Sequence, residues 1–278
     1  MQFKSFLNEM FSDRKRWDEY QDKVPMLKAG VDVLRKISAK GYEALIVGGA
    51  VRDIYMGKTP KDIDIATNCP IEQIEKMWKA IDIGKSRDFG IVTIKHKGFD
   101  FEVAQFRTES GSKNGRHPDS VKLVQSFKDD ASRRDITFNA MGINKDGVII
   151  DHFEGRKAIN SKIVQTVGNP LDRFEEDRLR MLRVVRLANR FDFKIHHETK
   201  QAIKDKAYTI TEISPERVRD ELIKMASQSG DKFANAILLL DEIGILKIIL
   251  PEIVKLKDFK HNIEHHPEGA YVRKILSK

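Results

Sequence analysis

Two aspartates with one residue between them, Asp62 and Asp64, have types and a spacing that invite chemistry. On a strand, positions i and i+2 face the same side, so both carboxylates would project together while Ile63 and Ile65 enter the core. Adjacent carboxylates repel unless a divalent cation sits between them, and hard oxygen ligands favour Mg2+. Two metal ions so held would activate an attacking hydroxyl and stabilise a leaving phosphate oxygen. A solvated strand edge would use the same residues. Upstream, Gly48-Gly49-Ala50-Val51-Arg52-Asp53 follows the apolar run Ala44 to Val47 and enters a helical pattern. Paired glycines let the backbone approach a ligand and present amide N–H groups to phosphate at a helix start. Arg52, one turn in, is placed to reinforce an anion there. The bland alternative is a tight strand-to-helix turn. The segment matches neither the dinucleotide fingerprint nor a P-loop.

A third carboxylate, Glu102, alternates with Phe101 and Val103 in a strand-like run, a pattern that fits an inward polar position. From a neighbouring strand it would complete a two-metal site; a cross-strand ion pair is the equal alternative. Farther on, Asp177 precedes Arg180, Arg183 and Arg186 at steps of three, with Arg190 one turn later. A step of three drifts by about 60° per repeat, so the row wraps slowly while staying near one helix face. Leu179, Leu182 and Val185 form the packing stripe beside it. Met181, Val184, Leu187 and Phe191 leave little of the circumference polar, which favours a domain seam over a merely solvated basic face. A carboxylate–guanidinium pair at Asp177 and Arg180 would offer fixed donors and acceptors to a base edge.

The elements that must position these groups follow from apolar spacing. Val24, Leu27, Val31, Leu34 and Ile37 predict a helix that Lys40-Gly41 ends. Short β-rich runs come next: Ala44 to Val47, Ile63 to Ala66, Ile91 to Ile94 and Phe99 to Phe106, the last two turning near Lys97-Gly98. A helix over Ile71 to Trp78 would be started by Asn68 and Pro70. The polar stretch between Arg107 and Ser120 reads as a mobile loop, and its His117 is assigned no chemistry. Val148 to Ile150 closes the mixed region. After about residue 170 the β signals vanish, and helices are expected over Phe174 to Phe191, Glu198 to Ala207, Pro215 to Ser227 with Ser214 as N-cap, and Asp231 to Ile243. The expected organisation is a helical lead over 1–40, a head over 41–155, a helical neck over 156–228 and a partial helical body over 229–278.

Composition narrows the class. The 278 residues include 50 basic and 42 acidic ones, a formal net charge of +8 that suggests a phosphate-rich partner. Forty per cent apolar residues are too many for a disordered chain. The single cysteine, Cys69, excludes a disulfide scaffold and suits a reducing cytoplasm. No apolar run approaches the ~18 residues of a membrane span, and the N-terminus lacks the apolar core of a signal peptide.

Taken in order, these segments resemble the class II tRNA nucleotidyltransferases, the CCA-adding enzymes, and their bacterial poly(A) polymerase relatives within the polymerase-β-like superfamily. Gly48-Gly49, Arg52-Asp53, Asp62, Asp64 and Ala66-Thr67 match the catalytic signature. Phe106-Arg107 with Gly115 to Val121 is similar to the flexible-loop segment, and Arg133-Arg134-Asp135-Ile136-Thr137-Phe138-Asn139-Ala140-Met141 to the next motif. Glu176 to Arg183 resembles the nucleotide-selecting motif and Glu216 to Leu222 the one after it. The resemblance implies an α+β head with a polymerase-β-like mixed sheet, followed by an all-α neck and body. It implies addition of C and A from CTP and ATP to the tRNA 3′ end, with Mg2+ on Asp62 and Asp64 and, less firmly tied, Glu102. Asp177 and Arg180 match the positions that select the base, and Arg52, Arg134, Arg183 and Arg186 positions implicated in nucleotide binding. Gly48 and Gly49 would cradle the triphosphate. Alternatives are a poly(A) polymerase, a CC-only or A-only enzyme, or a catalytically idle RNA-binding protein. Residues 261–269, with His261, His265 and His266, look like the opening of an HD-type phosphohydrolase domain. The His-Asp dipeptide such a site needs is absent, and the C-terminal region is expected to be short for the family.

Overall fold

The computed structural model describes residues 14–81, 87, 89–110 and 120–255. His117 with most of its loop, and His261, His265 and His266, lie outside them. The described residues form two compact units, one up to residue 160 and one from residue 161.

The first unit is built on a seven-stranded mixed sheet in the order β3-β4-β5-β2-β1-β8-β9. These strands are β1 (Ala44–Val47), β2 (Asp64–Thr67), β3 (Ala80–Ile81), β4 (Ile91–His96), β5 (Phe99–Gln105), β8 (Gly142–Ile143) and β9 (Ile149–Ile150). Between them a separate hairpin, β6 (Arg107–Ser110) with β7 (Ser120–Leu123), leaves the end of β5. Strand β1 is buried throughout, as a short unbroken apolar run requires in a central strand. In β5 burial alternates, with Phe101 and Val103 inside and Asp100 and Glu102 outside. The β4–β5 hairpin turns through Lys97 and Gly98, both at positive φ, the geometry of a type I′ turn.

The Pro25–Ser38 helix forms where the apolar spacing predicts it, with Leu27, Val31, Leu34 and Ile37 buried. It touches β1, β4 and β5. Its mid-helix Gly30 costs helix propensity but permits that approach. A Cβ there would stand 3.2 Å from Ile63 and 3.3 Å from Phe101. The Ile71–Met77 helix has Pro70 at its cap position, whereas Asn68 does not cap it. The Asn68 side chain instead accepts a hydrogen bond from the Glu43 amide at 2.8 Å, tying the start of β1 to the end of β2.

The second unit is helical with one exception. Expected as free of strands, it contains β10 (Ile163–Val164) and β11 (Lys194–Ile195), a two-residue parallel pair too short to show a period. The expected helix over Phe174 to Phe191 is two helices, Pro170–Glu176 and Leu179–Phe191, broken where Asp177 turns extended at φ −149° and ψ 106°. Helices His197–Lys206, Pro215–Ala226 and Gly230–Glu242 follow as anticipated. Ser214 occupies the cap position, but its side chain makes no cap bond to the helix amides. Gly244, at φ +80°, closes the Gly230–Glu242 helix.

Candidate active site

Strand register brings the first unit's acidic residues together. Asp64 is paired with Val47 on one side and with Glu102 on the other, so the end of β1, the start of β2 and the middle of β5 lie abreast. Because Val47 opposes Asp64, the glycine turn that follows β1 comes to the same place. Asp62 does not sit on the strand as expected; β2 begins at Asp64, and Asp62 lies exposed just before it. Its charge nonetheless acts on Asp64. Packing around Asp64, then the charges of Glu102 and Asp62, raise its carboxyl to about 6 against the opposing pull of Arg134. Asp64 keeps solvent access.

Gly48 has φ +71° and ψ −134°, a conformation essentially reserved for glycine. A Cβ there would lie 3.6 Å from Arg134 Nη1 and 4.0 Å from Asp64 Oδ2, so backbone, guanidinium and carboxylate converge on this turn. Gly49 serves a different purpose. Its missing Cβ leaves room for the Arg52 guanidinium, whose Nη2 lies 3.3 Å from where that atom would be. Arg52 was expected to face an anion, and here it is buried, donating from Nε to Asp53 at 2.8 Å and from Nη1 to Asn139 Oδ1 at 2.7 Å. The Asn139 carbonyl in turn accepts from Arg134 Nη1 at 3.4 Å. Asn139 thus links the two arginines, a role its place in the motif did not reveal.

The donor set fits a hard divalent cation in type. Asp62, Asp64 and Glu102 are all carboxylates, the hard oxygen donors such an ion takes, and burial first and then the charges of Glu102 and Asp62 raise the Asp64 carboxyl. Among the described residues no three His, Cys, Asp or Glu side chains are yet gathered closely enough to hold a metal.

In the second unit the helix break defines the geometry. Asp177 Oδ1 accepts from the Leu179 amide at 3.0 Å, so the residue that ends one helix starts the next. The pair expected between Asp177 and Arg180 does not form. Arg217 Nη2 instead donates to both Asp177 oxygens, at 3.0 and 3.2 Å. Arg180 is held by Glu176 at 2.5 Å and by the Arg173 carbonyl at 3.2 Å. Arg217 lies forty residues away in sequence, a separation no local spacing signals. Arg183 is half-buried on the same helix. Arg186 donates from Nε to the fully buried Glu221 at 2.6 Å. Burial pushes the Glu221 carboxyl up, and Arg186 and Lys224 more than reverse it.

Comparison with known proteins gives a consistent picture. Residues 44–165 match the family described as "Poly A polymerase head domain", and residues 192–256 the one described as "Probable RNA and SrmB-binding site of polymerase A". The chain is 39% identical over 241 residues to the CCA-adding enzyme of Lactobacillus johnsonii, covering 86% of this chain and 58% of that one. It is 41% identical over 224 residues to the CCA-adding enzyme of a Geobacillus species, covering 80% of this chain and 54% of that one. The solved CCA-adding enzyme of Bacillus stearothermophilus in complex with CTP superposes with a TM-score of 0.72 at 38% identity, over 80% of this chain and 53% of that one. The chain therefore spans a little over half the length of these relatives. No helix among the described residues is long and apolar enough to cross a membrane.

Proposed function

The chain belongs to the family of the poly(A) polymerase head domain and the CCA-adding enzymes, and on that footing we propose that it is a tRNA nucleotidyltransferase that adds C and A from CTP and ATP to the tRNA 3′ end. The 3′-hydroxyl attacks the α-phosphate in line, a new P–O bond forms, and pyrophosphate leaves with the electrons of the bond that breaks. The observation that carries this reading is the register aligning Val47, Asp64 and Glu102, with the Gly48 turn and Arg134 at the same point.

In this reading Asp62 and Asp64 are the principal Mg2+ ligands, with Glu102 the third carboxylate beside them. Bound there, the ion would polarise the phosphate oxygens and ease ionisation of the attacking hydroxyl. The chain's own residues do the positioning. Gly48 opens the backbone to the triphosphate, Arg134 offers Nη1 beside it, and Arg52 with Asn139 braces the turn from beneath. The head over 41–155 would carry the chemistry and the neck over 156–228 the choice of base. Asp177 and Arg180 read the base edge, each held by its own partner, Arg217 and Glu176. Arg183 completes the nucleotide-facing set, while Arg186, expected there as well, is paired with the buried Glu221. The reading assigns the protein to the cytoplasm, with tRNA as its partner.

The test is primer extension with tRNA ending before CCA, in C and in CC, with CTP and ATP given separately and together. The expected result is growth by two residues with CTP, by one more with ATP, and then arrest. Long A tracts would instead support a poly(A) polymerase, the reading favoured by the description of the head-domain family. No extension of any primer would sink the enzyme assignment.

A further inference from the structure

One carboxylate outside the acidic site makes contacts in two directions. Asp130 sits on the short Phe127–Ser132 helix and is 1% exposed. Its Oδ2 accepts from Arg134 Nη2 at 2.9 Å and from Nε at 3.3 Å. Its Oδ1 accepts from Arg133 Nη2 at 2.9 Å, from Arg133 Nε at 3.1 Å and from the Arg107 amide at 3.2 Å. Arg107 opens the β6–β7 hairpin, and its carbonyl accepts from Arg133 Nε at 2.9 Å. Burial pushes the Asp130 carboxyl up, and the two arginines with the Arg107 amide bring it below the usual range, so it is charged at neutral pH.

We propose that Asp130 is a positioning residue for nucleotide binding: it aims Arg134 at the Gly48 turn and pins the root of the β6–β7 hairpin with the same carboxylate. The inference rests on the reading of Arg134 as a ligand of the triphosphate. A guanidinium is planar and rigid, so fixing Nε and Nη2 fixes the direction of Nη1. Nη1 is the nitrogen that lies beside Gly48. Arg134 also lies within electrostatic reach of Asp64, whose carboxyl it pulls down. Asp130 therefore holds the guanidinium in the one orientation that presents Nη1 beside the Gly48 turn.

Steady-state kinetics of CTP addition on the full chain test this, with the CTP Kd from calorimetry for any variant too slow to assay. Asp130→Asn keeps the shape and loses the charge; the expected result is a KM for CTP raised about tenfold, with kcat changing less. Arg134→Ala should raise it similarly, and the double variant no further than Arg134→Ala alone, since both remove one interaction. Asp130→Glu, which keeps the charge, should recover part of the loss and serves if the asparagine variant does not fold. Losses that multiply in the double variant, or an Asp130→Asn that melts lower with KM unchanged, would overturn the proposal alone. An Arg134→Ala with unchanged KM and Kd would overturn the reading of Arg134 and this proposal with it.

Discussion

Asp64 concentrates the electrostatics of the site. Its carboxyl is raised to about 6 by packing and by Glu102 and Asp62, which means the folded protein without a cation holds this charge at a cost. The sign follows from linkage. Between the unfolded value near 4 and the folded value near 6 the native state binds more protons, so stability falls as pH rises through that window. Asp64→Asn should therefore raise the melting temperature of the metal-free protein by a few degrees at about pH 8, solvent access limiting the gain. The difference should vanish near pH 4. Melting curves across that range in the presence of a chelator provide the check, and a variant less stable than the parent at about pH 8 would contradict the account. At this scale the sequence was informative where spacing alone decides. The strand under Glu102 could be read from its alternation with Phe101 and Val103, since side chains on a pleated strand alternate whatever the fold, but the face could not: an inward position was expected and Glu102 is exposed. Asp130 had a signal too, at three and four residues before Arg133 and Arg134 on a capped helix, but its value depends on burial, which spacing does not state. The burial of Arg52 was not legible, because one turn of helix permits its guanidinium to point outward or to fold beneath Gly49.

Elements succeeded where the period was long and failed where it was interrupted. The Pro25–Ser38 helix and the β4–β5 hairpin followed from apolar spacing and from Lys97-Gly98. The break at Asp177 did not, because Phe174 and Met181 stand two helical turns apart, so the four polar residues after Phe174 still fit one continuous helix. What breaks the helix is tertiary: Asp177 caps the next helix and is held from the Pro215–Ala226 helix by Arg217. The same long-range pairing was not legible for Arg186, read from the motif as a nucleotide contact, which donates to the buried Glu221 of the Pro215–Ala226 helix. Removing it would leave that carboxylate with Lys224 as its one ion-pair partner among the described residues. Arg186→Ala is accordingly expected to cost about 3 kcal/mol of stability. Urea denaturation of the variant measures it. A stability within about 0.5 kcal/mol of the parent would return Arg186 to the nucleotide, as a surface group would be expected to behave.

At the scale of the whole molecule, two units are assigned two tasks. The first aligns carboxylates, the glycine turn and a guided arginine around one strand end, and the second fixes Asp177 and Arg180 on either side of a helix break. The net charge of +8 suits a nucleic-acid partner, although four of the arginines, Arg52, Arg133, Arg134 and Arg186, are paired inside the fold with Asp53, Asp130 and Glu221. The central claim is that the acidic pair performs nucleotide transfer while the helix break chooses the nucleotide. The most direct measurement compares labelled CTP and ATP incorporation into tRNA lacking its CCA by the parent, by Asp62→Ala with Asp64→Ala, and by Asp177→Ala. The account predicts no incorporation of either nucleotide by the double variant, and continued transfer with weakened discrimination by Asp177→Ala. Undiminished incorporation by a folded double variant would contradict it.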